Sequence, residues 1–342
     1  MFSFKWKFFW KRNIELLKYF EKYLNLHCCA RAYTWKITSI GNILKEFEQH
    51  LGYRLFTDSF SVTVCEQLLV FLHRRNLKDN SIRDFMLKLQ AMLNRAQSEG
   101  YTVKNNLRGV MPRYAVTQQV FLTRGELKSL YALEGLTTQQ EIVRDTFLVG
   151  CYTGLRLSDL VTLNCCHIID NRILKIVRKT KQPISIPLHP TVQEILAKYK
   201  NEIPKLKTLQ NYNSHIKKIC KAAGIDQLVT REFCQGGKIV QETIEKYKLV
   251  SSHTGRRTAI TNLFLEKVVD MFTLMKFSGH ANMASLLIYI KSSSSDHLRI
   301  LSESSYFKDD ASPILEAKLF SLKKRWQHSR NFTKMILRRH SS

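Results

Sequence analysis

The chain has 342 residues, enough for two domains of ordinary size with a core in each. Apolar residues make up 44% of it, too large a share for a disordered protein, while 54 Lys and Arg against 28 Asp and Glu leave a net charge of +26. An excess spread along most of the chain points to a polyanionic partner, nucleic acid ahead of an anionic membrane surface or a merely solvated face.

The eight cysteines include CC pairs at 28–29 and 165–166 but no CxxC and no metal-ligand spacing, so reduced, mostly buried thiols of a cytosolic protein are expected. The opening MFSFKWKFFWKR threads lysines through aromatics and lacks the continuous apolar core of a signal peptide. No uncharged apolar run approaches the ~18 residues of a membrane span. A cytoplasmic protein without a membrane partner is the expectation.

In chain order, IELLKYFEKYLNL at 14–26 sets Leu16, Leu17, Phe20, Tyr23 and Leu24 at three- and four-residue spacing, which predicts a helix. A second is predicted over 37–51 through Ile40, Leu44 and Phe47, stopping at Gly52, and a third over about 64–74. After LKDN, the stripe Ile82, Phe85, Met86, Leu89, Met92 and Leu93 predicts a fourth, ended by Gly100. These amphipathic helices with short connections predict a compact helical domain over 13–108. GVMPRYAVTQQ has no helical period and contains Pro112, so 109–121 is read as a linker.

Thr123 with Glu126 then fits a capping box, and Leu122 with Leu127 its hydrophobic staple, which opens a second domain over 122–291. That domain reads as helical except for RILKIVRKTKQPISIPL, whose two β-branched runs around a polar turn predict a β-hairpin. Helices are expected again near Val192 and over 213–223, and the Gly236-Gly237 segment is read as an exposed loop. Serines 292–295 read as a hinge, and the tail from Pro313 to residue 342 as a basic, helix-like stretch.

Three motifs carry chemistry. In CYTGLRLSDL, Gly154 permits a turn and a helix begins near Leu157, so Arg156 sits where backbone N–H groups already favour an anion. Its planar fork can hold two phosphate oxygens; pairing with Asp159 on the surface is the alternative. In SSHTGRRTAI, a helix starting near Thr254 puts His253 and Arg256 one turn apart, with Arg257 pointing elsewhere and Ile260, Leu263 and Phe264 in the core. In FSGHANMASLLIYIK, Gly279 ends one helix, Asn282 caps the next, and Leu286, Leu287 and Ile288 are expected to enter a core. His280 precedes Tyr289 by nine residues.

The order TGLRLSD, a lysine-bearing hairpin turn, HTGR, GH and a tyrosine nine residues on resembles the tyrosine recombinases, or phage integrases, over most of the chain. The resemblance implies a mainly α, two-domain fold: a helical, SAM-like core-binding domain, followed by an α+β catalytic domain with a small β-hairpin or sheet. It implies a site-specific recombinase of the mobile-element integrase type. Arg156 and Arg256 resemble the arginines that clamp the scissile phosphate, and His253 and His280 the pocket histidines. Tyr289 resembles the nucleophile. Lys179, 23 residues after Arg156, resembles the catalytic lysine, with Lys181 close enough to compete. Implied partners are double-stranded recombination sites, three further copies in a synaptic homotetramer, and an accessory DNA-bending protein.

The chemistry asks for these residue types. Strand exchange at phosphorus without a metal needs other positive charge where negative charge gathers, and each preorganised donor is worth ~3–4 kcal/mol. A phenol with a pKa near ~10 needs activation, a histidine can take or relay its proton, and a lysine can protonate the leaving 5′ oxygen. A covalent 3′-phosphotyrosine conserves the bond energy. No carboxylate cluster in the motifs suits Mg²⁺, so no cofactor or metal is expected.

Gly255 stands where the family usually has leucine, which predicts a looser helix start, and SLLIY lacks the family's threonines before the tyrosine. Asp159 is expected to support Arg156 or the helix start. Only about 12 residues precede the first helix, so a further N-terminal domain of the arm-reading kind is expected to be absent or truncated. The basic start is expected to touch DNA or complete a missing strand. The tail corresponds in position to a segment passed to a neighbouring subunit, with a solvated tail as the alternative. The competing functions are an inactive DNA-binding protein on this fold and a type IB topoisomerase.

Overall fold

A computed structural model of the chain describes residues 12–27, 30–115, 119–204, 206, 208–267, 269–291, 294–303, 307, 320 and 321. The aromatic-basic start before Arg12, the cysteines at 28–29, the serines at 292–293 and most of the basic tail lie outside them. Two compact units result, Met1–Gln119 with Gln227–Lys246, and Val120–Asp226 with Tyr247–Ser342.

The first unit opens with α1 (Leu16–Leu26), α2 (Arg31–Leu51), α3 (Val62–Arg74), α4 (Asp79–Ser98) and the single turn α5 (Leu107–Val110). α2 starts six residues before Ile37, because its first turns bury nothing and leave no stripe to read. Gly52, at φ 78°, ends it in the left-handed region, donating its N–H to the Glu48 carbonyl. Leu16, Ile37, Leu44, Phe47, Leu68, Ile82 and Leu89 meet in one apolar core.

The second unit opens with α6 (Arg124–Tyr131), whose Thr123–Glu126 capping box is reciprocal and whose flanking Leu122 and Leu127 are both buried. α7 (Thr138–Thr153) is almost wholly buried over its second half and is the central helix of the unit. The turn α8 (Leu157–Leu160) leads into a three-stranded antiparallel sheet of β1 (Ile168–Ile169), β2 (Arg172–Ile176) and β3 (Pro183–Pro187), in that order. Ile173 pairs with Ile186, and with Ile184 they form the buried face; Pro183 begins β3 rather than sitting in the turn. α9 (Pro190–Lys198) and α10 (Leu209–Ala222) follow.

The chain then returns to the first unit as β4 (Leu228–Gln235) and β5 (Lys238–Glu245), a two-stranded antiparallel hairpin. The expected loop at Gly236-Gly237 is therefore only its two-residue turn. Both glycines have positive φ (61° and 75°), the backbone twist a tight hairpin needs. Asp79, buried in the first turn of α4, accepts hydrogen bonds from the Gly236 and Gly237 N–H groups at 2.9 and 3.0 Å. His73 Nε2 lies 3.2 Å from the same carboxylate.

Back in the second unit come α11 (Lys246–Leu249, its first residue still counted with the hairpin), α12 (Ser252–Leu265), α13 (Met271–Ser278), α14 (Met283–Leu287) and α15 (Ser294–Ser302). Of the apolar run before Tyr289, only Leu286 is buried; Leu287 and Ile288 are 53% and 63% exposed, because successive residues on a helix step by about 100° and three in a row cannot share one face. Ser294 and Ser295, read as hinge, belong to α15. The free cysteines Cys65, Cys151 and Cys220 are buried, but the pair Cys165 and Cys166 is exposed, against expectation. Among the described residues no helix is long and apolar enough to cross a membrane.

Candidate active site

α12 is built to be gripped from all sides. Ser251 and Thr254 cap it reciprocally, and residues 254–261 are all buried. It lies along α7, and Gly255 is where the two backbones come close. A Cβ there would meet the Gly150 carbonyl carbon at 3.4 Å and the Phe147 oxygen at 3.5 Å. Gly255 thus seats the helix tightly rather than loosening it. Arg257, on the far side, donates Nε–H to the Val120 carbonyl at 3.0 Å, while its Nη2 donates to Thr254 Oγ1 at 2.9 Å.

Arg256 is 2% exposed and points into the site. Its Nη1 donates to the Gly154 carbonyl at 2.8 Å, and its Nη2 donates to the Ser278 carbonyl at 2.7 Å and reaches His280 Nε2 at 3.0 Å. Its guanidinium carbon stands 5.2 Å from the centre of the Tyr289 ring. Desolvation and the charge of Arg156 bring its pKa down to about 10, partly offset by Tyr289 and Asp159, so it stays protonated at neutral pH. Arg156 thus lies within electrostatic reach of Arg256.

Arg156 is the N-cap residue of α8. Its Nη1 and the Arg256 Nε are buried donors without a partner among the described residues. Arg156 and Asp159, both described, make no ion pair, so the surface-pair alternative does not hold. Asp159 is fully buried and instead accepts the Arg178 backbone N–H on Oδ1 at 3.0 Å, leaving Oδ2 unpartnered. Buried polar groups are rarely left unpaired, and two orphaned guanidinium donors in a cationic site suit an anion.

His280 follows Gly279, the left-handed C-cap of α13 at φ 63°. A Cβ on Gly279 would come within 2.9 Å of Val177 and 3.0 Å of Ile184, so only glycine lets this corner sit on the β2–β3 hairpin. Ser278 Oγ, which donates to the Leu274 carbonyl at 2.7 Å, lies 2.8 Å from His280 Nδ1. That network puts the imidazole proton on Nδ1 and leaves Nε2 as the acceptor facing Arg256. Desolvation and the charges of Arg256, Arg156 and Lys179 push the His280 pKa down to about 3, so the ring is neutral. His253, more exposed, is also held below its usual range, by desolvation and by Arg257, Arg156, Arg256 and Lys179.

Tyr289 is half-buried, its ring centre 5.0 Å from that of His280. The hydroxyl of buried Thr261 donates to the Tyr289 carbonyl and accepts from the Lys291 N–H, both at 3.2 Å, pinning the segment to α12. Lys179 is exposed in the β2–β3 turn. Of the two candidate lysines it is the one whose charge bears on both histidines. Lys181, at φ 57°, closes the turn by donating its N–H to Val177. Five cationic or imidazole side chains from four separate segments therefore lie within electrostatic reach of one another, two of them, Arg256 and His280, against the Tyr289 ring. Ser278, Thr261 and the Asp159–Arg178 bond carry no motif in the sequence and are visible only in space.

Comparison with known proteins gives the chain a family and a fold. Residues 121–296, more than half of the 342, match the family model described as the phage integrase family, and the chain belongs to that family, the tyrosine recombinases. It is 26% identical over 187 residues to tyrosine recombinase XerC of Caldanaerobacter subterraneus subsp. tengcongensis, a match covering 52% of this chain and 49% of that protein. The chain thus spans about half the length of the curated relative it matches. In fold it is similar to the Tn1549 transposon integrase solved with transposon right end DNA, at 16% identity and a TM-score of 0.61, covering 85% of this chain and 99% of that one. It is also similar to a lambda integrase solved as a tetramer on a Holliday junction, at 18% identity and a TM-score of 0.58, covering 78% and 76%.

Proposed function

We propose that the chain is a site-specific DNA recombinase of the mobile-element type that cuts and rejoins one strand at a time through Tyr289. The observation that carries this reading is the pairing of Arg256 and Arg156, each with an orphaned buried donor, beside a neutral imidazole and the Tyr289 ring. A scissile phosphate between the two guanidiniums supplies the missing acceptors. The negative charge gathered at phosphorus in the transition state then meets donors that need no rearrangement.

In the proposed reaction Tyr289 Oη attacks phosphorus, forming the P–O(Tyr) bond as the bond to the 5′ oxygen breaks. Lys179 gives its proton to that oxygen. His253, held below its usual range by desolvation and then by its cationic neighbours, accepts or relays the phenolic proton. His280, neutral and oriented by Ser278, completes the pocket around Arg256. The 3′-phosphotyrosine keeps the energy of the broken ester, so a 5′-hydroxyl from a second strand can reverse the step without a nucleotide. Because the lambda integrase was solved as a tetramer on a Holliday junction, a homotetramer on paired DNA sites is the assembly proposed here.

The test is to mix the protein with plasmid carrying the DNA that flanks its own gene, quench in detergent, and look for protein covalently held on one strand. An adduct confined to a single site supports the reading. Relaxation of a supercoiled plasmid lacking those flanks, with adducts scattered along it, would instead make the chain a topoisomerase.

A further inference from the structure

The turn between β2 and β3 is held from two sides. From beneath, Asp159 Oδ1 accepts the Arg178 N–H at 3.0 Å. From the side, the Thr180 hydroxyl donates to the Gly279 carbonyl at 3.0 Å, the peptide that runs directly into His280. The turn is closed internally as well, Val177 N–H donating to Gln182 at 2.9 Å and Lys181 N–H to Val177 at 2.8 Å. Gly279 has no Cβ to push Val177 and Ile184 away, so the turn and the histidine corner lie in direct contact. Lys179 sits between the two anchored residues, one residue from each.

We propose that Thr180 is a positioning residue for the proton-transfer step: its hydroxyl fixes the lysine-bearing turn to the backbone that carries His280, so that Lys179 meets the leaving oxygen in register with the phosphate clamp. This rests on the reading of Lys179 as the acid given above. The geometry favours it because a lysine side chain has four rotatable bonds and reaches a defined point only if its Cα is fixed. A hydrogen bond from a neighbouring side chain to the backbone entering His280 fixes the Cα relative to the group it must work beside, and misplacement by about 1 Å can slow a reaction about 100-fold.

The step itself says how to see this. With oxygen as the leaving atom, the Lys179 proton must arrive as the P–O5′ bond breaks. With sulfur in its place, the thiolate departs unprotonated, since a thiol has a pKa near ~8.5 and water, like an alcohol, one near ~15.7. Single-turnover cleavage would be measured on the duplex mapped by the trapping experiment, in paired versions with 5′-bridging oxygen or sulfur. Wild type, Lys179→Ala, Thr180→Val and Thr180→Ser are compared, with thermal unfolding as the check that each folds.

Thr180→Val should be slowed about 10- to 100-fold on oxygen and restored to near the wild-type rate on sulfur, as Lys179→Ala is, while Thr180→Ser keeps the wild-type rate on both. Equal slowing of Thr180→Val on oxygen and sulfur would overturn the proposal, since the hydroxyl would then be supporting the site in general. So would an unchanged rate on oxygen. If Lys179→Ala itself is not restored by sulfur, the assignment of the acid fails first. If wild type cleaves neither duplex, the recombinase reading fails with it.

Discussion

Arg256 Nη2 lies 3.0 Å from His280 Nε2, and the imidazole it faces is kept neutral, its pKa brought down to about 3 by desolvation and the charges of Arg256, Arg156 and Lys179. An unfolded histidine titrates near ~6.5. Between those values the unfolded chain holds a proton that the folded one refuses, so the stability contributed here is complete above pH ~6.5 and is lost as pH falls towards about 3. The melting temperature should drop between pH 7 and pH 4.5, and drop by about 4 °C less in His280→Gln. Equal drops in both proteins would show that His280 takes up its proton without resistance.

Arg256 makes two carbonyl hydrogen bonds and an imidazole contact from one planar fork, with Nε still unspent. A lysine keeps the charge but has a single ammonium. Arg256→Lys should slow strand cleavage about 100- to 1,000-fold while leaving DNA affinity nearly unchanged. A rate within a factor of three of wild type would mean that charge alone suffices.

The family's usual leucine would not fit at position 255. A Cβ already meets α7 backbone at 3.4 Å, so Gly255→Ala should be tolerated at small cost, and Gly255→Leu should lose about 1–3 kcal/mol. Urea unfolding of the two variants decides this; a Leu variant as stable as wild type would mean that α12 can move off α7 freely.

The Asp79 carboxylate takes both turn amides of the β4–β5 hairpin. Removing it in Asp79→Ala should speed hydrogen exchange of the Gly236 and Gly237 amides about 10- to 100-fold, the loss expected for hydrogen bonds to a charged acceptor. Unchanged exchange at those two positions would show that other contacts hold the turn.

Much of this molecule was legible as sequence because its signals are local. The stripe from Ile82 to Leu93, the Thr123–Glu126 box and the Gly279 and Asn282 caps are all set within a turn or two of chain, and each is found where its residues place it. The β4–β5 hairpin is not legible in the same way, although LVTREFCQ and KIVQETIE flank two glycines, because charged and polar residues interrupt both runs. Its anchor, Asp79, lies 157 residues from Gly236, beyond any local pattern. The same holds at the site. Arginines, histidines and a tyrosine announce themselves by type and order, but Thr180, Ser278 and Thr261 act through single hydroxyls, which only the folded backbone gives a direction. Leu287 and Ile288 differ in the opposite sense: the apolar run implies burial, but consecutive helical residues point about 100° apart and only Leu286 faces the core.

The most direct measurement is the chemistry of one oxygen. Protein trapped on a nicked duplex bearing its site is digested, and the DNA-linked peptide is sequenced by mass spectrometry, for wild type and for Tyr289→Phe. The nucleotide should map to Tyr289 in wild type, and Tyr289→Phe should bind the same duplex with no adduct. An adduct on another residue, or an undiminished adduct from the phenylalanine variant, would contradict the assignment of the nucleophile and the mechanism built on it.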